Sequence, residues 1–176
     1  ADEWVIDGEK AFITSSGTSI TSIVTITART GADEISTIVV PSGTPGFEVQ
    51  PAYRKMGWHA SDTHGLAFTG CRVPADNLLG TRGRGFAQLL AILDDGRVAI
   101  AAMAVGVIKR CLDDSLAYAQ ERNAFGRAIG TYQAVAFQIA DLQVALDASQ
   151  ALVYRAAWLR DQGQPFKREA AVAKLY

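Results

Sequence analysis

The chain has 176 residues, with 17 Lys and Arg against 18 Asp and Glu, and 49% of its residues are hydrophobic. This ordinary globular composition excludes intrinsically disordered, collagen-like and disulfide-scaffold proteins. A formal net charge of −1 argues against a protein that binds nucleic acid or acidic membranes by bulk electrostatic attraction.

Targeting and redox signals favour a reducing compartment. No apolar run approaches the roughly 20 residues that span a bilayer, and the first residues do not resemble a signal peptide. The two cysteines, Cys71 and Cys111, lie far apart and have no partners at metal-ligand spacing. We therefore expect a cytoplasmic protein with neither a metal site nor a disulfide framework.

A change in composition near residue 85 divides the chain. Residues 1–85 hold eleven of the twelve threonines and four of the five prolines, whereas residues 86–176 hold 21 of the 29 alanines. Thr and Pro favour strands and turns, and Ala favours helix. The sequence therefore predicts an α+β protein with two domains, a middle β domain over 1–85 and a helical domain over 86–176.

The first half has the pattern of short strands separated by turns. The Asp7-Gly8 pair between two apolar runs predicts a hairpin. No connection is long enough for a crossover helix, so we expect antiparallel pairing in a small barrel or sandwich. Strands are predicted at residues 4–6, 11–14, 23–28, 35–40, 46–49, 66–68 and 71–74.

The second half has the periodicity of long helices. Two glycines within residues 123–130 break the first helix from the second, and Gly163-Gln164-Pro165 stops the second. Three long antiparallel helices are most of a four-helix bundle, so we expect an incomplete up-down bundle in which the third helix leaves an apolar face unmatched. The helices are predicted from Phe86 to Arg122, from about Thr131 to Gln162, and from about Lys167 to Tyr176.

Composition and periodicity do not by themselves name a function. The segment Gly83-Arg84-Gly85-Phe86 is too short for a dinucleotide-binding or P-loop motif. The two histidines, His59 and His64, lie in a turn-rich stretch, where solvated side chains are commoner than catalytic ones.

Several short motifs, taken in order, resemble the acyl-CoA dehydrogenase family over essentially the whole chain. The resemblance implies a middle β-barrel domain, a C-terminal helical domain, an FAD cofactor and a role in fatty acid metabolism. The motifs are Ile6–Thr14, Met56-Gly57 with Ser61-Asp62-Thr63, Val73-Pro74 to Leu79-Gly80, Gly83–Phe86, and Glu121-Arg122 with Phe125-Gly126-Arg127 and Gln133.

The resemblance places the first strand beside the flavin ring. It implies that Phe12, Ile13 and Thr14 bind the cofactor, with the aromatic ring near the isoalloxazine and the Thr14 hydroxyl near its N5 edge. Such contacts orient and tune a cofactor that carries the redox chemistry itself. The family usually has Trp where this chain has Phe12. Without the resemblance, the pattern favours an ordinary strand with Phe12 in the core and Thr14 at the edge.

A second set of residues lies on the first helix. Asp94 and Arg97 are three residues apart and therefore share a helix face. The resemblance implies that both contact the CoA portion of the substrate, and a guanidinium suits phosphate-bearing ligands. The structural alternative is an intrahelical ion pair worth a few tenths of a kcal/mol.

A third set lies between the first two helices. The resemblance implies that Arg122 reaches the FAD pyrophosphate of a neighbouring subunit and that Phe125 and Gln133 also contact that FAD. This role requires a homo-oligomer, a dimer or tetramer that shares flavin sites. The alternative for Arg122 is a helix-end arginine favoured by the helix dipole.

The family's catalytic base has no counterpart in the 176 residues. The resemblance implies a glutamate that removes the substrate's α-proton; most members carry it beyond the position of Tyr176, and a minority carry it where this chain has Gly96. We therefore expect a fragment of a longer enzyme, inactive alone. Its parent would oxidise acyl-CoA to 2,3-enoyl-CoA and pass electrons to an electron-transferring flavoprotein.

Other functions remain open at this point. The same fold could belong to an acyl-CoA oxidase, a nitroalkane-oxidase-like enzyme or a flavin-dependent hydroxylase, although the Asp94–Arg97 pair mildly favours a CoA substrate. A non-catalytic module that uses the bundle for assembly is the alternative outside enzymes.

Overall fold

The structure, a computed structural model, describes residues 2–176. It divides into two compact units, one ending at Leu89 and the other beginning at Leu90. No helix among residues 2–176 combines the length and apolar composition that a membrane crossing requires.

The first unit contains two antiparallel sheets of three strands each. The strands are β1 (Glu3–Thr14), β2 (Ile23–Arg29), β3 (Ile35–Pro41), β4 (Phe47–Ala52), β5 (Thr63–Pro74) and β6 (Leu78–Leu79). One sheet has the order β1-β5-β4 and the other β2-β3-β6. Because no strand of one sheet pairs with a strand of the other within the described residues, the sheets form a sandwich and not a closed barrel, and the predicted α+β architecture is confirmed.

Alternating side chains from both sheets make one core. Every second residue of β2 and β3 points inward, as the two-residue period of a strand dictates. Side chains from four strands meet there and fix how the sheets pack. The buried cluster comprises Ile6, Val24, Ile26, Ile38, Val40, Leu66, Phe68, Cys71 and Val73.

The predicted hairpin at Asp7-Gly8 is wrong. Strand β1 continues through this pair, and its register against β5 shifts between Ile6 and Gly8. Gly8 has a backbone φ of 139°, a conformation that residues other than glycine rarely adopt. The Asp7 carboxylate accepts a 2.6 Å hydrogen bond from the Gly70 N–H of β5. The Asp-Gly pair therefore lies opposite a bulge of β5, in which Asp7 faces two residues of β5. No turn forms, because pairing with β5 on both sides outweighs the local turn preference.

The helical part consists of α1 (Gly85–Glu121), α2 (Gln133–Asp161) and α3 (Lys167–Leu175). These bounds lie within two residues of the predicted ones. Ala101 of α1, Val153 of α2 and Ala173 of α3 share a small buried cluster. Arg160 near the end of α2 pairs with Asp95 near the start of α1, so these two helices run antiparallel, as predicted.

Candidate functional site

The end of β1 turns two of the predicted cofactor residues toward solvent. Lys10 pairs with Leu66 and Ile13 with His64, so two residues of β1 face one residue of β5 in a β-bulge. Phe12 and Thr14 are exposed, while Ile13 packs against the sandwich core. The expectation from pattern alone of Phe12 in the core is therefore wrong, and a ligand at this edge would meet the ring of Phe12 and the hydroxyl of Thr14.

Phe12 has an unusual backbone. Its φ of 58° lies in the left-handed region, where a bulky residue is a genuine outlier. Such strain costs about 1–3 kcal/mol and clusters at functional sites. Phe12 is 74% exposed, and its ring centroid lies 5.0 Å from that of Tyr53, at an interplanar angle of 33°. The bulge thus presents an aromatic face that little of the first unit covers.

In the second unit, Asp94 and Arg97 form the ion pair that their spacing predicts. The Arg97 guanidinium donates to the Asp94 carboxylate, and both side chains are largely shielded from solvent. Arg97 also lines an open concave surface that encloses a volume of about 830 Å³. The charged residues around that surface are Lys167, Arg168, Glu169 and Lys174.

A short hairpin between α1 and α2 presents a second exposed aromatic residue. Strands β7 (Asn123–Ala124) and β8 (Arg127–Ala128) pair around a two-residue loop of Phe125 and Gly126. Both loop residues have positive φ, 51° and 84°, which defines a type I′ turn. Asn, Asp and Gly are the usual choices there, so Phe125 is strained, and its side chain is 96% exposed. The Phe125 ring meets Tyr132 edge-on at 6.5 Å.

Arg122 and Gln133 flank this hairpin. The Ile129 N–H donates to the Arg122 carbonyl at 2.8 Å, and the Tyr132 hydroxyl donates to the Ala124 carbonyl at 2.8 Å, which ties the hairpin to both helix ends. Arg122 and Gln133 are exposed. Within residues 2–176 the Arg122 guanidinium has no ion pair or hydrogen bond. Tyr132 caps α2 without a side-chain hydrogen bond, so the first-turn N–H groups lack a capping side chain.

His64 and Asp62 form a site that sequence reasoning missed. The interpretation of His64 as a solvated turn residue is wrong, because it lies in β5 and its side chain is only 13% exposed. The hydrogen bond to the Gln50 carbonyl is the main cause that raises the pKa of His64, and the hydrogen bond to Asp62 raises it further. The hydrogen bond from the Gly17 N–H is the main cause that lowers the pKa of Asp62, and the hydrogen bond with His64 lowers it further. Asp62 and His64 are two residues apart, a spacing that places two side chains on one face of an extended segment. This spacing was the sequence signal that could have predicted their contact.

Comparison with known proteins identifies the family. The family model for the acyl-CoA dehydrogenase middle domain matches residues 1–71, and that for the acyl-CoA dehydrogenase C-terminal domain matches residues 83–176. The chain belongs to the acyl-CoA dehydrogenase family.

Individual relatives match this chain along almost its whole length. A probable acyl-CoA dehydrogenase of Bacillus subtilis (strain 168) is 46% identical, over 99% of this chain and 47% of that protein. Butyryl-CoA dehydrogenase from Megasphaera elsdenii has the same fold, with a TM-score of 0.92 and 35% identity over 97% of this chain and 45% of that one.

A further solved structure comes from work on the electron transferring flavoprotein of Acidaminococcus fermentans and flavin-based electron bifurcation. It is 37% identical with a TM-score of 0.91, over 98% of this chain and 46% of that one. The chain therefore spans about half the length of the relatives it matches.

Proposed function

We propose that this chain is the flavin-side middle domain, over residues 1–85, and the first part of the C-terminal helical domain, over 86–176, of an FAD-dependent acyl-CoA dehydrogenase. The observation that carries the proposal is the match to the middle-domain and C-terminal-domain models, in family order along one chain. The parent enzyme would oxidise acyl-CoA to 2,3-enoyl-CoA.

The exposed end of β1 fits the ring of a flavin. An uncovered aromatic face and a neighbouring hydroxyl suit stacking and hydrogen bonding to a flat heteroaromatic ring. Phe12 would pack on the isoalloxazine, Thr14 would donate toward its N5 edge, and Ile13, whose side chain faces the core, would contribute only backbone contacts. When bound, FAD supplies the hydride acceptor; these residues hold and orient it.

The hairpin region fits the phosphates of an FAD held by a neighbouring subunit. Arg122 carries an exposed guanidinium, which binds phosphate strongly and directionally. The nearby start of α2 adds N–H groups and a positive helix-dipole end, both of which favour anions. Phe125 and Gln133 would complete this contact. The parent would therefore be a homodimer or homotetramer that shares its flavin sites.

The face of α1 that carries Asp94 and Arg97 fits the CoA portion of the substrate. Asp94 holds the Arg97 guanidinium in one orientation, and Arg97 lines a concave surface with more basic than acidic residues. CoA carries several phosphate groups, which such a surface attracts. The two side chains would bind and orient the thioester without taking part in proton transfer.

We propose that the α-proton is removed by a group outside these residues. Gly96, beside Arg97, has no side chain that could act as a base. We propose that the base is a glutamate that follows Tyr176 in the parent protein and that the 176-residue chain alone is inactive. Electrons would leave to an electron-transferring flavoprotein.

The test is anaerobic mixing of the purified parent protein with a panel of saturated acyl-CoA thioesters. We expect a yellow protein whose flavin absorbance bleaches with at least one thioester, whereas the isolated chain gives no turnover. A parent that purifies colourless and cannot be reconstituted with FAD contradicts the proposal and favours an assembly module. Rapid reoxidation by oxygen after bleaching would instead favour an oxidase.

A further inference from the structure

The strongest feature outside the proposed ligand contacts is the pair of hydrogen bonds made by the His64 ring. Its Nδ1 lies 2.6 Å from the Gln50 carbonyl oxygen, and its Nε2 lies 2.5 Å from Asp62 Oδ1. A carbonyl oxygen and an ionised carboxylate only accept hydrogen bonds, and a neutral imidazole carries one N–H. Both contacts are satisfied together when the ring carries two protons.

Asp62 has a reason to remain ionised. Its second oxygen, Oδ2, accepts a 2.8 Å hydrogen bond from the Gly17 N–H. A carboxylate that accepts from two donors favours the charged form, so the shared proton lies on His64. The geometry therefore describes an imidazolium–carboxylate pair, with Gln50 of β4 bonded to the other side of the ring.

Asp62, the partner of His64, holds the turn that follows Thr14. The Ser15 N–H donates to the Asp62 carbonyl at 2.9 Å, and Thr14 pairs with Thr63 at the end of the β1–β5 ladder. Ser15 has φ of 56°, so this turn is strained and needs support from its surroundings. Asp62 thus holds Ser15 through its backbone and Gly17 through its side chain, directly beside Thr14.

The fit of the ring against Gly17 is close. A Cβ at Gly17 would come within 2.2 Å of His64 Nε2. Real Cβ atoms do not approach other atoms this closely, so any side chain at position 17 would displace the imidazole. The absence of a side chain there is what allows the ring to reach Asp62.

Other ionisable groups around the ring are few. Lys55 donates to Thr63 Oγ1 at 3.0 Å, and its charge also helps to lower the pKa of Asp62. The backbone N–H of Tyr53 donates to the Thr63 carbonyl. His59 contacts the Lys55 carbonyl. Strand β1 brings Ile13 and Thr14 to this region, neither of them ionisable.

We propose that His64, held as an imidazolium between Gln50 and Asp62, is a positioning residue that fixes the turn after Thr14 and thereby the Thr14 hydroxyl. Loss of the ring proton removes one of the two hydrogen bonds and the positive charge that holds the Asp62 carboxylate in place, so the turn bonded to Asp62 loosens as pH rises. The consequence for the cofactor rests on the proposed function, in which Thr14 contacts the flavin.

The first test needs no cofactor and uses the 176-residue chain. NMR follows the ring signals of His59 and His64, and the amide signals of Ser15 and Gly17, against pH. We expect His64 in the folded chain to titrate at higher pH than in the urea-unfolded chain, and both amide signals to shift with its midpoint. A midpoint that is unchanged or lower, or amide signals that do not follow it, would overturn the proposal.

Matched variants separate this role from general stability. His64→Gln should abolish the pH-dependent shift of the Ser15 and Gly17 amides, whereas His59→Gln should leave it intact. Gly17→Ala should lower the His64 midpoint, because the methyl group displaces the ring, while Gly57→Ala, which has open space at its Cβ, should not. Equal effects of the paired variants would contradict the proposal.

The second test measures FAD affinity of the parent protein against pH. We expect the dissociation constant to rise as pH passes the His64 midpoint in the wild type and in His59→Gln, and to show no such step in His64→Gln. A step that persists in His64→Gln overturns the link to the flavin. A parent that binds no FAD contradicts the proposed function, and the NMR result then decides by itself whether His64 fixes the turn.

Discussion

The two units of the molecule differ in how many large apolar side chains they bury. The sandwich gathers nine apolar side chains, most of them large, into one buried cluster. The helical unit buries eight apolar residues, but five of them are alanines and only three of the eight share one cluster. Many of its large apolar side chains remain exposed, among them Ile92, Leu93, Ile100, Val107, Phe137, Val144 and Trp158.

This difference separates a region that completes its own core from one that leaves apolar surface uncovered. Contiguous exposed apolar surface commonly marks an interface. In the proposed function, the rest of the helical domain and neighbouring subunits would cover the faces of α1 and α2. The sandwich should therefore supply most of the stability of the isolated chain, which gives the first prediction.

The largest expected effect is on the sandwich core. Leu66 is 1% exposed and Leu93 on α1 is 45% exposed. Leu66→Ala should lower the free energy of unfolding by about 3 kcal/mol, because it removes buried methyl groups and leaves a cavity. Leu93→Ala should cost about 1 kcal/mol or less. Urea unfolding of both variants checks this, and equal losses would break the contrast between the units.

The second prediction concerns the charge offered by the helical unit. Arg122→Gln in the parent protein should weaken FAD binding about tenfold or more, because a charge-assisted bond to phosphate contributes about 1.5–3 kcal/mol. Arg110→Gln is the matched control, since Arg110 is exposed on α1 and already paired with Asp114. Flavin titration measures both. Similar losses in the two variants would show that net charge, and not the position of Arg122, decides affinity.

How much the sequence predicts differs between the units for physical reasons. The helix bounds follow from local signals, such as the glycines after α1 and Gly163 and Pro165 after α2, because a helix satisfies its hydrogen bonds within itself. Strand β1 depends on a partner far along the chain. The Asp7-Gly8 pair therefore carries a true turn preference, and no turn forms because β5 pairs on both sides of it.

The residues of the candidate site also differ in how far local sequence predicts their contacts. The ion pair of Asp94 and Arg97 follows from three-residue spacing on one helix. The contact of His64 with Gln50 depends on how β4 and β5 align, which local sequence does not encode, whereas its contact with Asp62 is between residues only two apart. The left-handed backbone of Phe12 and Phe125 also could not be predicted, because residue preferences argue against a bulky aromatic residue there.

The third prediction compares these two strained aromatic residues. Phe125→Asn should raise the free energy of unfolding by about 0.5–1 kcal/mol, because Asn tolerates the left-handed conformation and the ring loses only its long edge-on contact with Tyr132 at 6.5 Å. Phe12→Asn should change stability little, since the relieved strain is offset by loss of the Tyr53 contact, worth about 0.5–1.5 kcal/mol. Urea unfolding tests both, and a destabilised Phe125→Asn would mean that its backbone is not strained.

The fourth prediction is the pH dependence of stability, where we expect the smallest effect because Asp62 and His64 are partly solvated. The pKa of His64 is raised, chiefly by the Gln50 carbonyl, so its contribution is complete below the ordinary histidine pKa and is lost as pH rises through the raised value. The pKa of Asp62 is lowered, chiefly by the Gly17 N–H, so its contribution is complete above the ordinary aspartate pKa and is lost as pH falls through the lowered value.

Together these two shifts define a window between the ordinary aspartate and histidine values, about pH 4 to about pH 6.5. The difference in unfolding free energy between the wild type and His64→Gln should be greatest inside that window and should shrink on the alkaline side. Urea unfolding at a series of pH values measures it, with His59→Gln as the control. A difference that stays constant from pH 5 to pH 9 would mean that the charge on His64 does not hold the sandwich edge, and the ring would then act by shape alone.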